Sequence, residues 1–212
     1  MKPLILRKFQ RNLRDYGWGI ALRKSAETCL RLFYEGRAYR VYRMDLRTWR
    51  PQVPAGDGLA YRLIGSQDHD LITQIEALED WLQDSIDQRL AAGALCLVAL
   101  DGRTVAGFNL VSFGRVSVPL IDSCWTFGPH CAWSEQITVN PDYRGRGIAT
   151  ELRHRIIVEL KSRDVRRFYG GALAFNTASL NLTRKVGFRE IVEVRFRKLL
   201  GHSSRRYVRL LP

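Results

Sequence analysis

The sequence predicts a mixed α/β protein. Three observations lead to that prediction: the composition, the order of apolar patterns, and one strand–turn–helix segment with two glycines. The chain has 212 residues, of which 46% are hydrophobic and 26% charged. This composition is typical of globular proteins and excludes collagen-like, low-complexity and largely disordered chains. The longest strongly apolar run, residues 91–100, falls well short of the roughly 20 residues that a membrane-spanning helix needs. Basic residues interrupt any signal-peptide core, so we expect a cytoplasmic protein.

The N-terminal quarter differs from the rest in pattern. Apolar residues at helical spacing predict two amphipathic helices over residues 4–33, and the alternation over 39–44 predicts a strand. Prolines and glycines between 51 and 58 indicate a linker. We therefore divide the chain into a basic helical extension with a strand, residues 1–55, and a second domain, residues 56–212. We expect the second domain to fold without residues 1–50.

The second domain alternates between strand and helix patterns. Turn residues and changes of apolar period separate its elements. The predicted strands are 59–63, 95–100, 105–113, 116–121, 134–140, 168–175, 191–198 and 207–211, and the predicted helices lie within 71–90, 147–160 and 178–186. Strands joined by short turns, followed by strand–helix–strand–helix–strand, give a mixed sheet with helices.

The charge is unevenly distributed. The chain has a net charge of +13, and residues 1–50 hold 13 Lys or Arg against 4 Asp or Glu. Residues 195–212 hold 6 basic residues and no acidic one. The basic ends are suited to an acidic carrier protein or, for an amphipathic helix, an anionic membrane surface. Nucleic acid is not expected as a partner, because no recognised binding motif accompanies the basic surface.

The cysteines do not predict a metal site. Cys29, Cys96, Cys124 and Cys131 show none of the paired spacings of zinc ligands, so we predict no metal. Cys96 lies in an apolar run and is interpreted as a small buried thiol.

The segment that predicts chemistry runs from Ile137 to Ala149. A strand ends near Pro141, a turn follows, and Gly145 and Gly147 precede an amphipathic helix. Unpaired backbone amides at a helix start form an anion site, and glycines leave room for a phosphate to approach them. Arg144 and Arg146 add positive charge there. The alternative interpretation of the glycines is a tight turn.

This segment resembles the signature of the GCN5-related N-acetyltransferase (GNAT) family. The family's pattern is Gln or Arg, two residues, Gly, one residue, then Gly or Ala, which Arg144, Gly147 and Ala149 match. A second family motif, a helix from an asparagine to a Gly-Phe pair, resembles the segment from Asn176 to Phe188. The resemblance covers roughly residues 59–198. It implies a mostly antiparallel sheet with splayed fourth and fifth strands and helices on both faces.

The resemblance also implies a co-substrate, acetyl-CoA or another acyl-CoA, bound between the two splayed strands. Its pyrophosphate would contact the backbone amides of Arg144, Gly145, Arg146, Gly147, Ile148 and Ala149. Its pantetheine arm would bond to the backbone of Ile137 and Val139. Asn176 would contact the same arm or, alternatively, serve as a helix N-cap.

Family members transfer the acyl group by direct attack of an amine on the thioester. A lysine-like amine with a pKa of about 10.4 costs about 4.6 kcal/mol to deprotonate at neutral pH, and an α-amino group about 1 kcal/mol. A general base is therefore needed for some acceptors. Glu135, on the strand face predicted for Ile137 and Val139, is the first candidate, and a solvated strand residue is its alternative.

His130, in the preceding loop, is a second candidate base. Other family members place a glutamate where this chain has Gly171. The family's usual acid is a tyrosine, and Thr183 stands at its position. A threonine hydroxyl is too weakly acidic to replace it, so water or Tyr169 would supply the proton.

The resulting functional prediction is an N-acyltransferase. It would transfer an acetyl or other acyl group from coenzyme A to a small-molecule or peptide amine within a ternary complex. One alternative is an acyltransferase that takes a longer acyl chain from an acidic acyl carrier protein, and another is a non-catalytic acyl-CoA-binding module. Binding of residues 1–50 to anionic lipid would place the protein at the periphery of the inner membrane.

Overall fold

The computed structural model describes residues 34–50, 58–78 and 85–210. The helices predicted over 4–33 and most of the linker predicted over 51–58 lie outside these residues. The described strands are β1 Tyr34–Asp45, β2 Ala60–Ile64, β3 Leu95–Asp101, β4 Thr104–Ser112, β5 Arg115–Val118, β6 Ser123–Thr126, β7 Cys131–Val139, β8 Arg167–Leu173, β9 Arg189–Leu199 and β10 His202–Arg209. The described α-helices are α1 His69–Leu78, α2 Ile86–Ala91, α3 Ile148–Ser162 and α4 Thr177–Val186.

Eight strands form one sheet in the order β10-β9-β1-β8-β7-β4-β3-β2. Neighbouring strands are antiparallel except β7 and β8, which run parallel. The predicted mixed and mostly antiparallel sheet is therefore confirmed. None of the helices in the described part of the chain combines the length and apolar content that crossing a membrane requires.

Helices cover both faces of the sheet, as the alternation along β3 shows. Leu97 and Ala99 pack in a core cluster with the apolar side of α3. Cys96 and Val98 point the other way and pack with α1 and the start of α2. Because successive strand residues face opposite sides, one short strand contributes to both cores.

The separate β5–β6 hairpin covers part of the same sheet as a third cluster. Val116 and Val118 of β5 pack with Trp133 of β7 and Phe196 of β9. The sequence predicted one strand over 116–121, whereas the structure has a short strand, a 3-10 turn at Pro119–Ile121 and then β6. The proline removes a backbone donor, which favours the turn over a longer strand.

Strand β1 lies inside the sheet, between β8 and β9. Tyr39, Val41, Tyr42 and Met44 of this strand are buried. We expected the second domain to fold without residues 1–50, but β1 belongs to these residues and is part of the sheet. Its removal would leave β8 and β9 without the strand between them. The sequence could not place β1, because pairing partners more than a hundred residues away leave no local pattern.

Two consecutive glycines of β8 make room for the tyrosines of β1. A Cβ atom at Gly170 would overlap the ring of Tyr42, and one at Gly171 would overlap the ring of Tyr39. The two rings lie on opposite faces of the sheet, since Tyr42 belongs to the α3-side cluster and Tyr39 to the hairpin-side cluster. Gly171 therefore has a packing role that explains why no larger side chain stands there.

Three cysteines fall within the described residues. Cys96 is fully buried, which confirms its interpretation as a core thiol, and burial raises its pKa to about 12. Cys124 is exposed and Cys131 is half-buried, and all three are free thiols. In residues 34–50, 58–78 and 85–210, no group of three or more His, Cys, Asp and Glu side chains is arranged to hold a metal ion.

Candidate active site

Strands β7 and β8 separate along their length. They pair in parallel only from Cys131 opposite Arg167 to Ser134 opposite Gly170. Beyond this point β7 continues to Val139 and β8 to Leu173, with no pairing between them in the described structure. The gap opens a cleft of about 720 Å³, which we call the interstrand cleft and which both strands, α3 and α4 line.

A β-bulge lies where the two strands part. On β7, Gln136 pairs with Leu110 of β4 and Ser134 pairs with Val111, which leaves Glu135 without a partner in the ladder. A bulge places two consecutive side chains on nearly the same side of the strand. Glu135 therefore faces α2, whereas Ile137 packs against the α3-side core. The predicted shared face of Glu135, Ile137 and Val139 is wrong, because periodicity of two fails across a bulge.

The Glu135 carboxylate is held on both oxygens. It forms an ion pair with Arg89 of α2 and accepts a hydrogen bond of 2.5 Å from the Ser112 hydroxyl. Its side chain is 13% exposed. Glu135 and Tyr39 line both the interstrand cleft and a second cavity of about 480 Å³, which we call the side cavity. Glu135 thus stands where two ligands approaching from the two cavities would meet.

The side cavity carries charges of both signs. Glu35 and Asp122 add carboxylates to that of Glu135, and the basic residues are Arg37, Arg89 and Lys198. Trp133 and Phe196 supply its apolar wall. Each of the three carboxylates is paired with an arginine, Glu35 with Arg37, Glu135 with Arg89 and Asp122 with Arg205.

The glycine-containing loop forms the mouth of the interstrand cleft. Gly145 and Gly147 both have φ of +81°, and a Cβ at either position would meet no atom within 4 Å. Arg144 lines the cleft and reaches the Val139 carbonyl at 3.4 Å, while the Arg146 guanidinium lies 5.1 Å from the Tyr143 ring centre. The glycines are needed for the left-handed backbone, and the space above them is open.

Helix α3 presents unpaired amides at this mouth. Its first internal bonds run from the Thr150 and Glu151 amides to the Gly147 carbonyl. Within the described part of the chain, the amides of residues 145–149, which include Ile148 and Ala149, donate to no acceptor. Such amides, together with the positive end of the helix dipole, favour a bound anion.

Asn176 occupies the mouth opposite this loop. Its Oδ1 accepts a hydrogen bond of 3.1 Å from the Ser179 amide, so its N-cap role is confirmed. Asn176 also lines the cleft, along with the half-buried Ile137 and Val139. Contact of these three residues with a ligand stays a prediction.

Two predicted catalytic residues lie elsewhere. His130 sits before β7, at the end away from the cleft mouth, with its Nδ1 3.1 Å from the Asp164 carboxylate. Thr183 is buried within α4, and its hydroxyl donates to the Ser179 carbonyl at 2.7 Å. Neither residue lines the interstrand cleft or the side cavity. The structure thus gives neither of them contact with a ligand in either space.

Tyr39 and Arg153, which both line the interstrand cleft, were not predicted from the sequence. Tyr39 was missed because β1 lies outside the motifs. Arg153 of α3 is 2% exposed, although it lies outside the apolar stripe that runs from Ile148 to Leu160. The adjacent pair Ile156–Ile157 was the available signal, because it widens the buried face to position 153, one turn earlier.

The split sheet, with an amide-rich loop at its mouth, is the architecture of an acetyltransferase fold. Residues 61–188 match the model of the acetyltransferase (GNAT) family. The chain therefore belongs to the GNAT acetyltransferase family, whose general activity is acyl transfer from coenzyme A. No protein of curated function matches the sequence.

Solved structures show the same fold at low sequence identity. A GNAT-family protein from Novosphingobium aromaticivorans superposes with a TM-score of 0.55 at 19% identity, over 80% of this chain and 66% of that one. A GCN5-related N-acetyltransferase from Sphaerobacter thermophilus gives 0.56 at 19% identity, over 92% and 58%. A tandem GNAT protein from the clavulanic acid biosynthesis pathway gives 0.56 at 19% identity, over 85% and 59%. This chain thus spans less than two thirds of the length of each.

Proposed function

We propose that this protein is an N-acyltransferase that moves an acetyl or other acyl group from coenzyme A to a small-molecule or peptide amine. The separation of β7 and β8 beyond Ser134 and Gly170 carries the proposal. It leaves backbone groups of β7 without a strand partner on the cleft side, and an extended pantetheine arm supplies the missing hydrogen bonds.

The residues at the mouth fit the phosphates of such a co-substrate. The free amides of 145–149 and the open space above Gly145 and Gly147 allow a pyrophosphate to approach the backbone. Arg144 and Arg146 add charge beside it. When bound, the thioester supplies an acyl carbon that an amine can attack; everything else in the reaction is positioning and proton transfer.

Glu135 is the proposed general base. An amine entering from the side cavity reaches Glu135 at the point where the cavity meets the interstrand cleft. Glu135 accepts one proton from the amine nitrogen as the new C–N bond forms and the C–S bond breaks. The thiolate that leaves takes one proton from solvent and becomes the thiol, so the protons balance. Ser112 and Arg89 fix the carboxylate for this transfer.

Tyr39 is the proposed hydrogen-bond donor near the leaving sulfur. Its ring lies over Gly171, immediately beyond the last residue of β8 that pairs with β7. Burial raises the pKa of Tyr39 well above its ordinary value, so the hydroxyl stays protonated at neutral pH. A protonated phenol can donate to developing negative charge, which replaces part of the role of the tyrosine absent at Thr183.

A thiol-release assay with acetyl-CoA and a panel of amines tests the function. We expect Glu135→Gln to lower kcat by about 100-fold or more while coenzyme A affinity changes little, because proton transfer is lost and the cleft is kept. The pH–rate profile of the variant should lose the acidic limb of the wild type. His130→Gln is the matched control and should behave as wild type.

The same assay separates the alternatives. Coenzyme A binding without thiol release for any amine would favour a non-catalytic acyl-CoA-binding module. Turnover with acyl carrier protein but not with acyl-CoA would favour the carrier-dependent reaction. The basic residues 1–50 are proposed to assist docking of an acidic carrier or an anionic membrane, an interaction that weakens as salt rises.

A further inference from the structure

Arg153 is a buried cation without a carboxylate partner among the described residues. The side chain lies on the sheet-facing side of α3 and is 2% exposed. Its Nη1 donates a hydrogen bond of 2.6 Å to the Ser134 hydroxyl. The rings of Phe168 and Phe188 flank it, with their centres 5.4 and 5.7 Å from the guanidinium carbon. No ion pair to an acid is formed in the part of the chain that the structure describes.

A buried guanidinium without a paired anion destabilises the folded state. Burial lowers the pKa of Arg153, yet arginine remains protonated in proteins because its ordinary pKa lies above 12. Moving such a charge out of water costs several kcal/mol unless an anion and further hydrogen bonds compensate it. One serine hydroxyl occupies one of five N–H donors. The remaining donors are available to an acceptor that enters the cleft.

The position of Arg153 identifies where that acceptor lies. Its hydrogen-bond partner, Ser134, is the last residue of β7 that pairs with β8. Arg153 therefore marks the closed end of the interstrand cleft, and Arg144 marks the mouth. A ligand whose phosphates sit at the mouth brings its reacting end toward Arg153.

No acid competes for Arg153 at this end. Among the described residues that line the interstrand cleft, Glu135 is the one with a carboxylate. Its two oxygens are bound to Arg89 and Ser112 on the other side of the sheet. Glu135 and Arg153 thus lie on opposite faces of the sheet at the bulge. On the α3 face, no carboxylate among the described cleft residues pairs with Arg153.

We propose that Arg153 is a specificity-determining residue that binds a carboxylate at the far end of the acyl group. The preferred acyl donor is then the thioester of a short dicarboxylic acid, such as a succinyl or malonyl thioester, over acetyl-CoA. This inference rests on the proposed function, because it assigns the acyl group of the same cleft. A planar guanidinium suits a carboxylate, which can accept two parallel hydrogen bonds.

The test is calorimetric binding of CoA, acetyl-CoA and succinyl-CoA to the full chain. For the wild type we expect succinyl-CoA to bind about 10- to 100-fold more tightly than acetyl-CoA, the range of a charge-assisted hydrogen-bonded pair. Arg153→Met should abolish that preference and leave CoA affinity within about twofold. Arg153→Lys should keep an intermediate preference for succinyl-CoA over acetyl-CoA. The positive charge stays, but the planar guanidinium that can donate two parallel hydrogen bonds is lost.

The controls keep a folding defect apart from a loss of specificity. Replacing a buried ion by an apolar residue of similar length is often neutral or stabilising, so Arg153→Met should melt at or above the wild-type temperature. Arg144→Met, at the mouth, should weaken all three ligands by the same factor.

Three results would overturn the proposal. Equal affinity of the wild type for acetyl-CoA and succinyl-CoA would do so while leaving the proposed function intact. A lower kcat of Arg153→Met with acetyl-CoA, without any change in ligand preference, would assign the guanidinium to the leaving sulfur instead. Failure of the wild type to bind any of the three ligands would remove the proposed function together with the inference.

Discussion

The mouth and the closed end of the interstrand cleft both hold arginines, but in opposite surroundings. Arg144 and Arg146 at the mouth are exposed, whereas Arg153 at the closed end is buried between two aromatic rings. Exposed charges act over about 10 Å at 0.1 M salt and are screened beyond it. A buried charge is screened far less and acts mainly on groups in contact with it. We therefore expect the mouth to attract any phosphorylated ligand and, under the proposal for Arg153, the closed end to discriminate among acyl groups.

The backbone repeats this contrast. The glycines of the mouth, Gly145 and Gly147, face empty space, while Gly170 and Gly171 near the closed end are covered by tyrosine rings. The first pair leaves room for a ligand, and the second pair leaves room for the protein's own side chains. The two pairs of glycines therefore have different structural roles. Substitution at the mouth should affect ligand binding, and substitution near the closed end should affect stability.

Replacement of Gly147 by tryptophan should have the largest effect. The side chain would fill the open space where phosphates approach, and we expect coenzyme A affinity to fall by about 100-fold or more. Gly147→Ala is the control: it carries the same left-handed backbone strain with little bulk. Isothermal calorimetry measures both, and equal affinities of the tryptophan variant and the wild type would remove the phosphate site from this loop.

The double variant Arg144→Ala, Arg146→Ala should weaken coenzyme A binding by about 10-fold at low salt, because two exposed phosphate contacts of modest strength are lost. The gap between variant and wild type should shrink as salt rises from 50 to about 500 mM. Fluorescence titration across this range is the measurement. A salt-independent gap would indicate that these arginines act by contact packing, and the contrast with Arg153 would fail.

Gly171→Ala should cost stability rather than affinity for phosphates. The new methyl overlaps the Tyr39 ring, and overpacking of this kind typically costs about 1–3 kcal/mol. Thermal unfolding would show it as a lower melting temperature. Gly128→Ala, where a Cβ meets no atom within 4 Å, is the matched control. In a Tyr39→Ala background, where the overlapping ring is absent, Gly171→Ala should cost less stability than it does in the wild type.

The smallest expected effect is a pH dependence of stability, and it comes from His154, next to Arg153 in α3. His154 is buried, its Nε2 has no partner among the described residues, and burial lowers its pKa below the ordinary value of 6.5. The unfolded chain therefore binds a proton first as pH falls. The stability from neutral His154 is complete above about pH 6.5 and is lost as pH falls toward the folded-state pKa.

Melting curves at pH 7.5 and 5.5 test this. The wild type should lose a few degrees at the lower pH, and His154→Leu should lose less. The aspartates with lowered pKa, such as Asp45 and Asp164, titrate below this window. An identical pH response of wild type and variant would show that His154 is not the titrating group.

The local features were predictable from sequence and the long-range ones were not. The glycine loop and the helix after it follow from Arg144, Gly147 and the apolar stripe that starts at Ile148, all within one short segment. The hairpin of β3 and β4 follows from two apolar runs on either side of the turn residues Asp101 and Gly102. These elements are set by neighbours in the chain, so their patterns are visible in the sequence.

The side-chain chemistry of the site depends on contacts that no local pattern records. A one-residue bulge turns Glu135 to the opposite face from Ile137, and Arg153 is buried because Ser134 and two phenylalanines surround it. Tyr39 lines the cleft from a strand outside the family motifs. Thus the cleft itself could be inferred from motifs, while the placement of Glu135, Arg153 and Tyr39 around it required the tertiary structure.

The insertion of β1 between β8 and β9 has a consequence for synthesis of the chain. Arg40 of β1 bonds to Glu190 of β9, a residue 150 positions later. Domains emerge from the ribosome at about 5–20 residues per second, so β1 waits on the order of 10 seconds for its neighbours. During that interval Val41 and Tyr42 have no sheet to cover them. The interstrand cleft is thus among the last features to form, when the late strands close around one of the earliest.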